Sequence, residues 1–225
     1  MKKLGKRLKL NNNKIIKSLY NIDEALILLK ETATAKFTET VELHINLKSI
    51  LNQIRNTVVL PNNIENKTLI AIFAPENLID EKLKNHADII GNDDLVEQIQ
   101  KGIINFNLLI TTPEMMPKLA KLGKVLGPKG LMPSPKSGTV TNNLFETLIE
   151  FKKGKFEYKT DKTGILHIIF GKSDFSPKKL KENLLFLYNT IQQNKPIGVK
   201  GLFIKSIFIC NTMGPSIPIN LKSFE

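Results

Sequence analysis

Apolar positions along this chain keep three rhythms in turn. In IDEALILLKETA, Ile22, Ala25, Leu26, Leu29 and Ala33 recur at helical spacing, and Asp23 and Glu24 place negative charge in the first turn, where the backbone dipole favours it. TVELHINLK then alternates. Val41, Leu43, Ile45 and Leu47 share one face and Thr40, Glu42, His44, Asn46 and Lys48 the other, which predicts a strand with a core side and an open polar side. TVVL at 57–60 reads as a second strand and PNNIEN after it as a linker. From Lys67 the rhythm changes, and LIAIFA is an unbroken apolar run, as expected of a strand covered on both faces. PENLIDEKLKNHA reads as a helix opened by an early proline, ADII as a strand, DDLVEQIQKG as a helix and FNLLITT as a strand. PEMMPKLAKLGKVLG reads as one helix with Met115, Leu119, Leu122 and Leu126 inward, and LFETLIEFKKG closes the region.

Alternation returns in KFEYKTDKTGILHIIFG, which reads as a hairpin turning at Asp161 to Gly164, with Ile165, His167 and Ile169 on one face and Leu166, Ile168 and Phe170 on the other. SPKKLKENLLFLYNTIQQN carries Leu180, Leu184, Leu187 and Ile191 along one side, behind a capping Ser176 and a proline suited to the first helical turn. VKGLFIKSIFICN reads as a last long strand and TMGPSIPIN as a non-regular end. The fold class expected is therefore α/β together with α+β. Residues 1–65 and 155–225 would form a discontinuous α+β domain and residues 66–154 an inserted three-layer α/β domain, with two connections acting as hinges.

At 225 residues and 41% hydrophobic content the chain can bury a core. No apolar run approaches the ~20 residues that span a bilayer, and MKKLGKRLKLNNNKIIK lacks the apolar segment of a secretory signal, so neither membrane nor export is expected. The single cysteine, Cys210, leaves no internal disulfide or cysteine-built metal site and reads as a small buried hydrophobe. His44, His86 and His167 lie far apart without metal-ligand spacing, so no metal or cofactor is expected, and His44 reads as an exposed sheet residue. Asp93 and Asp94 read as helix start signals, and no nucleophile elbow occurs. A catalytic constellation is not expected.

Charge changes the picture. The net charge is +12, and the whole excess lies in two acid-free segments: Lys2, Lys3, Lys6, Arg7, Lys9, Lys14 and Lys17 in the first, and Lys118, Lys121, Lys124, Lys129 and Lys136 in the second. Blocks of one sign favour polyanions, nucleic acid foremost.

The second block contains LGKVLGPKGLMPSPKSG at 122–138, which invites two readings. A nucleotide-binding loop needs Gly-x4-Gly-Lys-Ser/Thr so that successive N–H groups converge on phosphate. Here Pro135 stands where the second glycine belongs and Pro133 removes another donor. The other reading is a proline-braced surface for nucleic acid, in which glycines allow close approach and Lys124, Lys129 and Lys136 contact phosphate. Composition leaves this surface and an ordinary solvated loop equally open.

KLGKVLGPKGLMPSPKSGTV at 121–140 resembles the signature of the ribosomal protein L-one family, which forms the mobile lateral stalk of the large subunit. So do TATAKFTETVELHINL at 32–47, KFEYKTDKTGILH at 155–167 and NTMGPSIPIN at 211–220. The resemblance implies a two-domain fold, binding to large-subunit ribosomal RNA chiefly through the domain built from both termini, and assistance to E-site transfer RNA leaving the ribosome. It also implies repression of the protein's own messenger RNA, other large-subunit proteins as neighbours, and a monomer when free. Carried onto this chain, the family's RNA face falls on Lys36, Phe37, Thr40, Glu42, Ser206, Thr212, Met213 and Gly214, with auxiliary basic contacts from Lys2, Lys3, Lys6, Arg7, Lys124, Lys129 and Lys136. Lys36 would meet phosphate and Phe37 sugar or base, while Thr40 and Glu42 would meet 2′-hydroxyls. The family's longer basic loop ending in D-Q-N-V-R-G is replaced by KSILNQIRNTV, in which Arg55 survives. That trimming, with abundant Asn, Ile and Lys and no Trp, fits a ribosome in a plastid (chloroplast) stroma or the cytoplasm of an A/T-rich bacterium.

Overall fold

The structure is a computed structural model that describes residues 5–48, 54–64, 68–196 and 201–224. In chain order the elements are α1 (Lys6–Asn12), α2 (Ile22–Thr32), β1 (Thr40–Leu47), β2 (Arg55–Val58), β3 (Ile70–Phe73), α3 (Glu81–His86), β4 (Ile89–Gly91), α4 (Asp93–Gln100) and β5 (Leu108–Thr111). They continue with α5 (Met116–Ala120), α6 (Gly123–Leu126), α7 (Leu144–Lys152), β6 (Phe156–Lys159), β7 (Ile165–Lys172), α8 (Pro177–Gln193), β8 (Ile204–Asn211) and β9 (Ile217–Ile219). The backbone divides into two compact units, Met1–Ile64 with Tyr158–Glu225, and Glu65–Glu157. No helix among the described residues is long and apolar enough to cross a membrane.

The first unit is built on a sheet of strand order β7-β1-β8-β9, antiparallel at the pairings β1 with β7, β1 with β8 and β8 with β9. The alternation of TVELHINLK does what it predicts: Val41, Leu43, Ile45 and Leu47 are buried, while Thr40, Glu42, His44 and Asn46 face away from the core. The apolar side is covered by α2 and α8, whose buried stripes are Ile22, Ala25, Leu26 and Leu29, and Leu180, Leu184, Leu187 and Ile191. Ser176 caps α8 by accepting the Lys179 N–H. At the β1/β7 bulge Gly171 pairs with Val41, and a Cβ there would run into Leu180, so glycine lets α8 lie close to the sheet.

In the second unit a parallel sheet of order β4-β3-β5 has helices on both faces. Ala71 and Phe73 pack with Leu95, Ile99, Leu119 and Leu126, while Ile70 and Ile72 pack with Leu83, Leu144, Leu148 and Phe151. This is why LIAIFA reads as a continuous apolar run: both sides of β3 are core.

Several expectations are corrected. The 113–127 segment is a 3-10 turn (Pro113–Met115) followed by α5 and α6, because Pro117 offers no N–H and Gly123 is a weak helix former. PENLIDEKLKNHA likewise splits into a 3-10 turn (Glu76–Leu78) and α3. The basic leader contains α1, whose Asn11 is buried and donates to the Thr32 carbonyl (3.0 Å) and the Thr34 hydroxyl (3.1 Å). TMGPSIPIN contains a strand, since β9 pairs with β8.

The expected β6/β7 hairpin is not formed either. β6 pairs with β2, and only a single bridge, Thr160 to Leu166, joins the two arms. The turn itself is held by Asp161, which accepts from the Thr163 N–H (2.9 Å), the Thr163 hydroxyl (2.7 and 2.8 Å) and the Ile165 N–H (2.7 Å). These bonds, the Thr163 hydroxyl first, pull the Asp161 carboxyl from its ordinary 3.8 to about 2. Such a depression contributes stability that is present above the ordinary value and is lost as pH falls through about 2. Asp161→Ala is therefore expected to lower the melting temperature near neutral pH, with the gap to the parent closing as pH falls from 3.8 to about 2. A gap unchanged across that window would show that the charge of Asp161 does not hold the turn.

Candidate nucleic-acid interface

The sheet side opposite α2 and α8 carries Thr40, Glu42, His44 and Asn46 from β1, His167 and Ile169 from β7, and Ser206, Phe208 and Cys210 from β8. Register decides who meets whom: Glu42 pairs with Cys210, His44 with Phe208 and His167, and Asn46 with Ser206.

At one end of this face the loop before β1 and the turn after β8 are locked together. The Thr212 N–H donates to the Thr40 carbonyl (3.0 Å), and the Thr212 hydroxyl accepts from the Thr40 N–H and donates to the Thr40 carbonyl (both 3.1 Å). Its proton is thus used inside the protein, and Thr212 holds the turn rather than offering a hydroxyl proton outward. Glu39, 1% exposed, accepts the Ala35 N–H (3.0 Å) on one carboxylate oxygen and the Met213 N–H (2.9 Å) on the other. Its own N–H donates to the Ser173 hydroxyl, and its carbonyl accepts the Ser173 N–H. Phe37 (56% exposed) and Met213 (51%) leave apolar side chains in the open on this frame, and Lys36 is exposed beside them. The Gly214 N–H donates to the Asn211 carbonyl, and a Cβ on it would lie 3.1 Å from the Asn211 Cβ, so a side chain there would press on the turn.

Of the residues singled out in the sequence, Lys36, Phe37, Thr40, Thr212, Met213 and Gly214 come together at this end, with Glu42 next along β1. Ser206 lies farther along the same face, opposite Asn46. Arg7, on α1, joins them, its guanidinium donating to the Met213 carbonyl at 3.5 Å, and Lys6 is exposed on the same helix. Lys2 and Lys3 lie outside the described residues. Lys124, Lys129 and Lys136 are exposed in the second unit. There the Ser137 hydroxyl donates to the Ser134 carbonyl (2.9 Å) and Ser137 is buried, so the residue a nucleotide loop would turn to a metal or phosphate is engaged in bracing the loop.

Sequence reasoning missed Glu39, although it lies inside the stretch AKFTETV: nothing local marks one of two nearby glutamates as buried. It also misjudged Cys210, and it left the partners of His44 and His167 unidentified. Cys210 is not a core residue but half-buried on the open side, because β8 alternates Ile209 inward and Cys210 outward. His44 and His167, distant in sequence, meet with Nδ1 atoms 2.8 Å apart, and His44 Nε2 lies 3.2 Å from Cys210 Sγ and 3.7 Å from Glu42 Oε2. Burial first and His167 second push the His44 imidazole below its ordinary 6.5, against an upward pull from Glu42. Burial, followed by the Glu42 charge, pushes the Cys210 thiol up to about 11.

Residues 29–215 match the model of the ribosomal protein L1p/L10e family. The chain is 57% identical to the large ribosomal subunit protein uL1c of Phaeodactylum tricornutum over the full length of both. It is 50% identical to uL1c of Guillardia theta (all of this chain, 98% of that one) and 48% identical to the bacterial uL1 of Prochlorococcus marinus (all of this chain, 98% of that one). Plastid-type and bacterial proteins thus frame it, and the chain belongs to the ribosomal protein L1p/L10e family, as a structural ribosomal protein rather than an enzyme.

Proposed function

We propose that this chain is a constituent of the large ribosomal subunit and binds a folded segment of large-subunit ribosomal RNA with the open side of the β7-β1-β8-β9 sheet and the turn at its end. The observation that carries the reading is the lock between Thr212, Thr40 and Glu39, which presents Phe37 and Met213 outward on a frame already ordered. A preformed surface loses little conformational freedom on binding. Lys36, Lys6 and Arg7 meet phosphates, Phe37 and Met213 pack on sugar or base, and Thr40, Glu42 and Ser206 meet 2′-hydroxyls.

In the same reading the unit made from both ends of the chain is the RNA-binding domain. The Glu65–Glu157 unit is an inserted domain, whose Lys124, Lys129 and Lys136 give auxiliary contacts. The family resemblance extends the proposal to the mobile stalk, to release of E-site transfer RNA, and to repression of the protein's own messenger RNA where that message offers the same RNA shape. The free protein is a monomer.

Filter binding of a large-subunit RNA fragment against random duplex, over a salt series, tests the interface. Thr212→Ala or Met213→Ala is expected to cut the preference for the fragment by about tenfold, the effect of ~1.4 kcal/mol. Lys124→Ala should weaken both RNAs alike and reduce the salt slope by about one. If the unaltered protein retains both RNAs equally at every salt concentration, the reading is wrong.

A further inference from the structure

Two strands, β1 and β8, bring Glu42, His44 and Cys210 to one place on the open side of the sheet, and one ligand atom from each lies within 4.8 Å of the others. We propose that these three side chains bind a zinc-class divalent cation, through Glu42 Oε2, His44 Nε2 and Cys210 Sγ, with a fourth position left to solvent.

The spacing fits. In a tetrahedral site with Zn–N of ~2.0–2.1 Å and Zn–S of ~2.3 Å, neighbouring ligand atoms stand ~3.3–3.7 Å apart. His44 Nε2 lies 3.2 Å from Cys210 Sγ and 3.7 Å from Glu42 Oε2. Cys210 Sγ and the Glu42 carboxylate lie within 4.8 Å of each other, so a cation would draw this third pair together by side-chain rotation while His44 Nε2 stays near its place.

The site also has a supporting chain that points the right way. His167 Nε2 faces the Asp161 carboxylate at 3.6 Å, and Asp161 is itself fixed by four hydrogen bonds from its own turn. A proton held on His167 Nε2 by that charge leaves His167 Nδ1 as an acceptor. His44 Nδ1–H then donates to it across 2.8 Å, which leaves the lone pair on His44 Nε2 directed at Cys210 and Glu42. At zinc the second ring nitrogen of a histidine usually donates to a carboxylate, a carbonyl or water, which fixes tautomer and ring orientation; here the His167 imidazole takes that place, with Asp161 behind it. His167 and Asp161 are positioning residues here, not ligands.

Ligand chemistry selects the cation. One sulfur, one imidazole nitrogen and one carboxylate oxygen suit zinc and its neighbours, whereas magnesium and calcium prefer oxygen throughout. Without metal, the Cys210 S–H donates to His44 Nε2. As the cation binds, that proton leaves to solvent and sulfur coordinates as thiolate. The site follows from the register of three strands: Glu42 pairs directly with Cys210, and His44 directly with His167.

The test uses the full chain and metal ions alone, without RNA, so its outcome is separate from that of the interface proposed above. Titration with cobalt(II) should give a thiolate-to-cobalt band in the near ultraviolet and tetrahedral bands in the visible, saturating at about one ion per chain, and zinc(II) should bleach both. Cys210→Ser should abolish the near-ultraviolet band, and His44→Gln should lower zinc affinity by at least about tenfold. Neither side chain belongs to the core, and unchanged circular dichroism checks that the variants fold. His167→Gln should keep the thiolate band but weaken zinc binding by about 10- to 100-fold, the effect of losing an outer partner. The proposal is overturned if saturating cobalt(II) gives no thiolate band, or if zinc binds Cys210→Ser as tightly as the parent.

Discussion

Glu39→Ala is expected to reduce affinity for the large-subunit RNA fragment by about 10- to 100-fold, more than removal of any exposed lysine. The carboxylate is itself buried and offers nothing to solvent. It is buried between the loop carrying Lys36 and Phe37 and the turn carrying Met213, and each of its oxygens accepts one N–H from one of them. Removing it leaves the Ala35 and Met213 N–H groups without acceptors, at ~1–3 kcal/mol for each group that stays buried and unpaired. Both segments then move to find water, and the surface must be re-ordered each time RNA binds. At ~1.4 kcal/mol per tenfold, a re-ordering cost of ~1.4–2.8 kcal/mol gives the stated loss. Glu39→Gln keeps one acceptor but points an NH2 at an N–H, so its loss should be intermediate. The measurement is filter binding at a temperature where circular dichroism shows the variant folded. Parent-like affinity in Glu39→Ala would mean that the frame at this end of the sheet does not matter to RNA.

The largest stability effect is expected at Phe170. Its side chain is fully buried on β7, and its carbonyl accepts the Asn183 side-chain N–H from α8 at 2.9 Å, so strand and helix are joined at this residue by both packing and a hydrogen bond. Phe170→Ala should cost about 3–5 kcal/mol, from lost transfer energy and the cavity left behind. Against a total of ~5–15 kcal/mol for a typical domain this is a large fraction. Phe186, 40% exposed on the same helix, serves as the control, and its replacement by alanine should change stability by about 0.5 kcal/mol or less. Urea unfolding reads both variants. A cost below about 1 kcal/mol at Phe170 would mean that α8 does not close over β7 as described.

The elements that lie against one continuous covered surface were legible from period alone. α2, β1, β3 and α8 stand where the rhythm of TVELHINLK, LIAIFA and the two leucine-rich helices puts them, because each rhythm is imposed by one continuous covered surface. Short elements were less legible. The segment after β5 changes from a 3-10 turn to α5 just before Pro117 and is interrupted between Ala120 and Gly123, although its apolar spacing is helical throughout, because backbone chemistry overrides side-chain pattern at such positions. β6 looked like one arm of a hairpin since β7 follows it closely, but an Asp161-bonded turn separates the two and leaves β6 to pair with β2.

The candidate site divides along the same line. By itself the sequence determined the alternation that sets Thr40, Glu42 and His44 on an open polar side, the concentration of positive charge, and the stretches that resemble a ribosomal family. Only the tertiary structure decided that Glu39 clamps Ala35 to Met213, that Arg7 reaches the Met213 carbonyl, that the Thr212 hydroxyl is turned inward, and that His44, His167, Cys210 and Glu42 share one place. The physical reason is the range of the interactions. Periodicity and charge are properties of neighbours along the chain, whereas these contacts join residues far apart in it: strand register sets His44 beside His167 and Glu42 beside Cys210, each more than a hundred positions away, and a shift of one residue would turn those partners to opposite faces.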